Sequence, residues 1–302
     1  MKTNAMSVLC RLVMAAAWVS AAMFSAYVAS GQESRPTAKG QDESQESVNK
    51  RQLAVMRRLA ETIQVTVAER ERRQKAKLIP EPLFRFSDQS RLHSDGSVWA
   101  WSIAGRPVAM AEFRTYDRTK GVWGHDLVAT SDVQLSAEVA DRGRWAPREP
   151  DFKLLAIPNI GAPAKTEAGR LRQMKQFARS LSASEIWQGQ RSELRLLPTE
   201  FHRYSDAASG LVDGAVFIFV VGSNPEAILF VEAHQAGSGE LSWKYGLARM
   251  SAARVTFLLD DTEVWEVPES HGDLNTSYYS FRRNSPEPLS APAANASEKT
   301  IE

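Results

Sequence analysis

Apolar residues recur along this chain with two periods, one helical and one of two residues, and the pair of periods appears twice. Leu53, Met56, Leu59, Ala60, Ile63 and Val67 fall at helical spacing with charges on the other faces, predicting a helix from about Val48. The same spacing returns at Leu171, Met174, Phe177, Ala178 and Leu181, predicting a second helix that runs to about Trp187 to Gly189. After each helix the period falls to two. Strands are expected at residues 82–87, 97–103, 108–116, 121–130 and 133–139. A second set is expected at 200–205, 215–221, 227–234, 241–250 and 253–259. Such alternation describes half-buried antiparallel strands. Breakers such as Asp95-Gly96, Gly105-Arg106-Pro107, Ser223-Asn224-Pro225 and Asp260-Asp261 leave hairpin-length gaps, which favour a meander over parallel βαβ units.

The second set repeats the first in its residues as well as its period. Arg85 and Arg203, Asp88 and Asp206, and Asp95-Gly96 and Asp213-Gly214 all stand 118 positions apart. The offset becomes 120 for Glu112 and Glu232, Trp123 and Trp243, Leu127 and Leu247, Ser131 and Ser251, and Trp145 and Trp265. Register kept over that length implies a duplicated module. The expected fold class is α+β, with two tandem repeats, each a helix followed by an antiparallel β-meander. A sheet curling round its helix would give layering of the cystatin or NTF2 type, an analogy of architecture that carries no function. The modules are placed at residues 48–147 and 167–268. Residues 148–166, rich in Pro, Gly and Ala, read as a linker. Residues 32–47 read as a solvated spacer and 269–302 as a disordered tail, with Tyr278-Tyr279-Ser280-Phe281 able to dock or meet a partner.

The N-terminus changes the expected address. Lys2 and Arg11 precede an apolar run at residues 12–28, and the small residues Ala29-Ser30-Gly31 follow before the chain turns polar. That is the pattern of a secretory signal over residues 1–31; the alternative is a retained membrane anchor. Cys10, the single cysteine, lies inside this segment, so a mature chain would hold together without disulfides or cysteine-based zinc sites. A formal net charge of +1, with 43% hydrophobic and 24% charged residues, is ordinary for a globular chain and gives no nucleic-acid footprint.

Candidate chemistry is sparse. There is no Gly-x-Ser-x-Gly, His-Glu-x-x-His, Walker A or dinucleotide glycine motif. Trp99 with Trp101, and Phe217 with Phe219, share a strand face and read as core. Trp123, Trp243, Trp145 and Trp265 read first as structural, with indole N–H groups bonded to backbone, and otherwise as sugar-stacking platforms. Arg85 and Arg203 are expected to bridge an aspartate of their own module, Asp88 or Asp95 and Asp206 or Asp213. Asp-Gly reads as a turn with a positive φ at glycine. His125 and Asp126 point to opposite strand faces, against a catalytic dyad. Glu232 and His234 share a strand face but are too few for zinc. Glu112 and Glu232 each stand alone among apolar strand residues. No catalytic residue, metal or cofactor is assigned. Glu232, His234, Trp243, Tyr245 and Arg249 are the candidate lining of a ligand pocket, because His234 and Tyr245 are unmatched in the first module.

Residues 171–174, 196–204 and 213–217, with Val231-Glu232-Ala233 and Trp243-Lys244-Tyr245-Gly246-Leu247-Ala248-Arg249-Met250, resemble exported two-repeat proteins of planctomycete-type bacteria. The resemblance spans most of the mature chain. It implies a periplasmic, envelope or extracellular address and brings no activity with it. The sequence thus points to an exported, non-enzymatic protein that binds or scaffolds in the cell envelope or outside the cell. Its partner would be an envelope polysaccharide or protein, not nucleic acid, with membrane contact only through a retained N-terminal segment. The alternative is a hydrolase acting on an envelope polymer or glycan.

Overall fold

The computed structural model describes residues 45–69, 72–88, 93–117 and 121–284. The expected signal segment and most of the spacer lie outside these residues. Helix α1 (Gln45–Thr62) opens the described chain, so the last residues of the expected spacer are helical. Then come β1 (Gln64–Glu69), β2 (Arg72–Lys75), β3 (Lys77–Leu78), β4 (Phe84–Asp88) and β5 (His93–Ile103). The first region continues with β6 (Arg106–Asp117), β7 (Val122–Ala129), β8 (Gln134–Val139) and β9 (Gly143–Trp145). A short β10 (Leu155–Ala156) precedes helix α2 (Glu167–Ser180). The second region holds β11 (Leu181–Trp187), β12 (Gln190–Leu196), β13 (His202–Asp206), β14 (Leu211–Val221) and β15 (Asn224–Gln235). It ends with β16 (Leu241–Arg249), β17 (Arg254–Leu259) and β18 (Thr262–Val267), and the last strand is β19 (Tyr278–Asn284).

The fold is mixed α and β, dominated by antiparallel sheet. Both helices are shorter than their apolar spacing suggested. Val67 lies in β1 and Leu181 opens β11, because the β-branched residues Val65, Thr66 and Val67 suit a strand and their alternate side chains fill the same core as the helix. Thr166 caps α2 by accepting from the Gly169 N–H at 3.1 Å. The first region forms sheets ordered β2-β1-β8-β9 and β19-β7-β6-β5-β3, with β4 on β5. The second forms one path, β10-β16-β15-β14-β12-β11-β17-β18, with β13 on β14.

Several Cα registers of the two regions can be compared directly. Phe86 faces Gly96 as Tyr204 faces Gly214, and Val65 faces Ala137 as Ala183 faces Phe257. Gly96 lies opposite Arg114 and Gly214 opposite Glu232. The offset is therefore still 118 at this point, and grows by two only in the β15–β16 hairpin. Glu232 corresponds to Arg114, and Glu112 to Phe230. This corrects the pairing of Glu112 with Glu232.

Three cores follow. Helix α1 packs Met56, Leu59 and Ala60 against Trp99, Trp101, Trp123 and the inner faces of β1 and β8. Helix α2 packs Met174, Phe177 and Ala178 against Phe217, Phe219, Trp243 and Phe257. Between the regions, Val98, Ala100, Met110 and Val128 meet Val216, Ile228, Phe230 and Ala248 in a third core. The central strands are thus buried on both faces, not half-buried; β14 and β15 read almost continuously apolar for that reason.

The segments after each region cross over to the other. Residues 148–166 are not a free linker: β10 pairs with the edge of β16, Phe152 is buried and Ile157 enters the second core. The expected tail is ordered as far as residue 284, and β19 runs along β7 from Val128 to Val122. Residues 285–302 lie outside the described residues. The two crossing segments touch each other where Arg148 N–H donates to Asn275 O at 2.9 Å and Asp151 N–H to Ser277 Oγ at 2.9 Å. The exchange lays β19 along β7 and the short β10 against part of β16.

Candidate functional site

Glu232 and His234 come together on the β15 face that looks towards the other region. His234 Nε2 donates to Glu232 Oε2 at 2.7 Å. Glu232 Oε1 accepts from Tyr204 Oη at 2.7 Å and from Arg106 Nε at 2.8 Å. Arg106 arrives from the β5–β6 hairpin of the first region, its guanidinium 5.4 Å from the ring centres of both Phe152 and Phe230. His202 stacks on Tyr204 at 5.6 Å and its Nε2 donates to Gly105 O at 2.9 Å, tying the hairpin tip to β13.

Glu232 has no solvent exposure. Burial alone would raise its pKa, yet the His234 hydrogen bond, the Arg106 charge and the Tyr204 hydroxyl hold it below the ordinary carboxylate value. Burial and the neighbouring Glu232 charge push the Tyr204 phenol well above its usual value. The result is a carboxylate kept charged and engaged at both oxygens.

The position corresponding to Glu232 carries the opposite charge. Arg114 Nη1 donates to Glu112 Oε1 at 2.6 Å and Asp126 Oδ2 at 2.7 Å, and Nη2 reaches Tyr116 Oη at 3.1 Å. Burial would lower its pKa, but the two carboxylates hold it well above the usual guanidinium value. Glu112 and Glu232 therefore do not stand alone; each belongs to a buried ionic cluster.

The other candidate positions separate. Trp243 and Tyr245 point to the opposite sheet face, inside the α2 core, and Phe177 meets Tyr245 edge-on at 5.2 Å. Arg249 lies further along β16, where its Nε donates to Ser251 O at 2.8 Å and its guanidinium sits 4.9 Å from the Tyr278 ring centre. A cavity of about 10 Å³ adjoins Arg249, Asp151, Ser277 and Tyr278, the size of one water molecule. Burial raises the Asp151 carboxyl, against the pull of Arg249. The space between Glu232, Trp243 and Arg249 is thus occupied by sheet and side chains, and these residues do not line a common pocket.

Asp213 is held by Arg203 Nη2 at 2.6 Å and Arg170 Nε at 2.8 Å, and Asp95 by Arg85 Nη2 at 2.8 Å. The aspartate alternatives thus resolve to Asp95 and Asp213. The Asp-Gly pairs are not turns but lie inside β5 and β14. Their glycines admit an aromatic ring: a Cβ on Gly214 would sit 2.4 Å from Tyr204, and one on Gly96 2.4 Å from Phe86. His125 and Asp126 face opposite ways as expected, His125 stacking on Phe281 at 4.8 Å. Trp145 donates to backbone, whereas Trp123 and Trp243 have no hydrogen-bond partner among the described residues.

Arg106 and Tyr204, the partners of Glu232, were missed by sequence reasoning. Arg106 sits in what reads as a plain Gly-Arg-Pro turn, and nothing local signals a contact 126 residues away. Among the described residues no group of three or more His, Cys, Asp or Glu could hold a metal, and no helix is long and apolar enough to cross a membrane. Comparison with protein-family models, curated proteins and solved structures finds no match for this chain.

Proposed function

We propose that this chain is an exported, non-enzymatic binding or scaffolding protein, built as a tandem duplication of one helix-plus-meander unit. The duplication is supported by the shared registers of the two regions, at offsets of 118 and then 120. Export rests on the charged, apolar and small-residue succession of residues 1–31. The observation that carries the non-enzymatic reading is the burial of Glu232. A general base or nucleophile needs an approach for substrate, and here the carboxylate has no solvent exposure and both its oxygens accept hydrogen bonds from neighbouring side chains. The partner is an acidic or neutral polymer, or a protein, of the envelope or extracellular space.

A second reading, a glycan hydrolase, is favoured by one contact alone, the Glu232–His234 pair. Asp213, the other carboxylate it would recruit, is engaged by Arg170 and Arg203 in a separate cluster. The test is to express the full chain in a bacterial host, fractionate the cells and determine the mature N-terminus. The exported material is then incubated with a polysaccharide panel, scoring both retention and product release. The reading expects an N-terminus near residues 30–32 and retention without hydrolysis. Cytoplasmic chain with its N-terminus intact would overturn the export reading, and hydrolysis abolished by Glu232→Gln would overturn the non-enzymatic one.

A further inference from the structure

The sheet β2-β1-β8-β9 has one face in the first core, through Val65, Val67, Leu135 and Ala137. Its other face meets solvent. Cross-strand partners share a face, so Lys75, Thr66 and Ser136 form one row, Arg73 stands beside Ala68, and Arg144 beside Glu138. Every residue of β2 is exposed, as is Arg144, whose Nη2 donates to Ser136 Oγ at 3.1 Å. Among the described residues Arg73, Lys75 and Arg144 form no ion pair, and Glu138 is the one acid on this face.

The corresponding face of the second region is neutralised. Glu193 takes the place of Lys75 and pairs with Arg191 at 3.0 Å. Arg254 pairs with Glu266 at 3.7 Å, and Glu263 stands opposite Leu258 as Arg144 stands opposite Glu138. Among the described residues the first face thus carries three basic side chains and one acid around a hydroxyl row, whereas the second sets acids beside its arginines.

We infer that the solvent face of β2-β1-β8-β9 docks an acidic polysaccharide, with Arg73, Lys75 and Arg144 meeting its carboxylate or sulfate groups. Arg73 and Lys75 lie about 7 Å apart along the strand, and Arg144 starts about 14 Å across it, a spacing for repeated charges and not for one small anion. Thr66, Ser136 and the exposed Gln64 and Gln134 supply hydrogen-bond partners for sugar hydroxyls. The face has no aromatic ring for stacking nucleic-acid bases. It also has no large apolar side chain to enter a bilayer: Leu155, the exposed large apolar residue, lies on β10.

This inference rests on the binding role proposed above and narrows it to a face and a ligand class. Residues 32–302, which contain the whole compact unit from Glu43 onward, would be passed over dextran sulfate, carboxylated dextran and neutral dextran. The charged matrices should retain the chain and the neutral one should not, with retention weakening as salt rises. Arg73→Gln/Lys75→Gln/Arg144→Gln should bind roughly tenfold or more weakly, Glu138→Gln should bind more tightly, and Arg191→Gln/Arg254→Gln should match the parent. Equal binding by the triple variant, or an equal loss in the second-region variant, would overturn the inference. Failure on both charged matrices would also overturn it; retention on a neutral glycan or defined protein would then leave the broader binding role standing.

Discussion

Arg114 and Glu232 occupy the same place in the two regions, each on the strand opposite a glycine that admits an aromatic ring. One is a guanidinium between two carboxylates; the other is a carboxylate among a guanidinium, a phenol and an imidazole. The contrast separates what the fold requires from what it tolerates. Backbone register and the ring-over-glycine contact recur, while the sign of the buried charge reverses. A buried charge is acceptable here when its own surroundings neutralise it, whichever sign it has.

The largest expected effect comes from removing the centre of either cluster. Arg114→Met leaves Glu112 and Asp126 buried without their cation and should destabilise by about 4–5 kcal/mol. Glu232→Gln keeps the shape and some hydrogen bonds, so it should cost about 2–3 kcal/mol. Urea unfolding of both variants would measure the difference, and equal losses would show that the clusters are not distinguished by what they leave unpaired. Next in size is the glycine contact. Gly214→Ala should cost about 2–3 kcal/mol by displacing the Tyr204 ring. Gly96→Ala should cost less, because Phe86 carries no hydroxyl committed to a buried carboxylate.

A smaller effect separates the two covered edges by pH. On β7, His125 is buried, stacks on Phe281 and accepts from Arg283 Nε at 3.1 Å, which requires an unprotonated Nε2. Burial, then the charges of Arg283, Arg114 and Arg142, hold its pKa well below the ordinary histidine value of 6.5. A histidine depressed in the folded state contributes stability above its unfolded pKa and loses it as pH falls below about 6.5 towards the folded value. The corresponding position on β16 is Tyr245, which does not ionise in acid. Hydrogen exchange at pH 7 and pH 5 should therefore show β19 loosening before β10, and His125→Tyr should remove the difference. Smallest is the helix anchor: Arg170→Gln should cost about 1 kcal/mol, since Arg203 still holds Asp213.

Local pattern carried the helices' apolar stripes and the central hairpins, because periodicity depends on which side chains face the core. It failed where distant segments decide the outcome. Val67 and Leu181 continue a helical stripe by count, yet belong to strands lining the same core as the helix. Gly96 and Gly214 looked like turn residues because the ring that needs their bare Cα lies on a neighbouring strand. Phe152 and Tyr278 sit in stretches whose composition suggests linker and tail, but each is buried against the region its segment did not come from. Of the candidate site, only the Glu232–His234 contact was legible, through their shared strand face. Trp243 and Tyr245 were separated from it by the sheet itself, and Arg106 belongs to another hairpin altogether.

The two regions should stand or fall together, because each is closed by the segment following the other. Phe152→Ala tests this most directly, since that side chain sits in the shared core near the start of the first crossing segment. It should cost about 3–5 kcal/mol. Hydrogen exchange should show the slowest amides of β6 and β15 losing that protection equally, in a single urea transition. Loss confined to one region, or two separate transitions, would contradict the account.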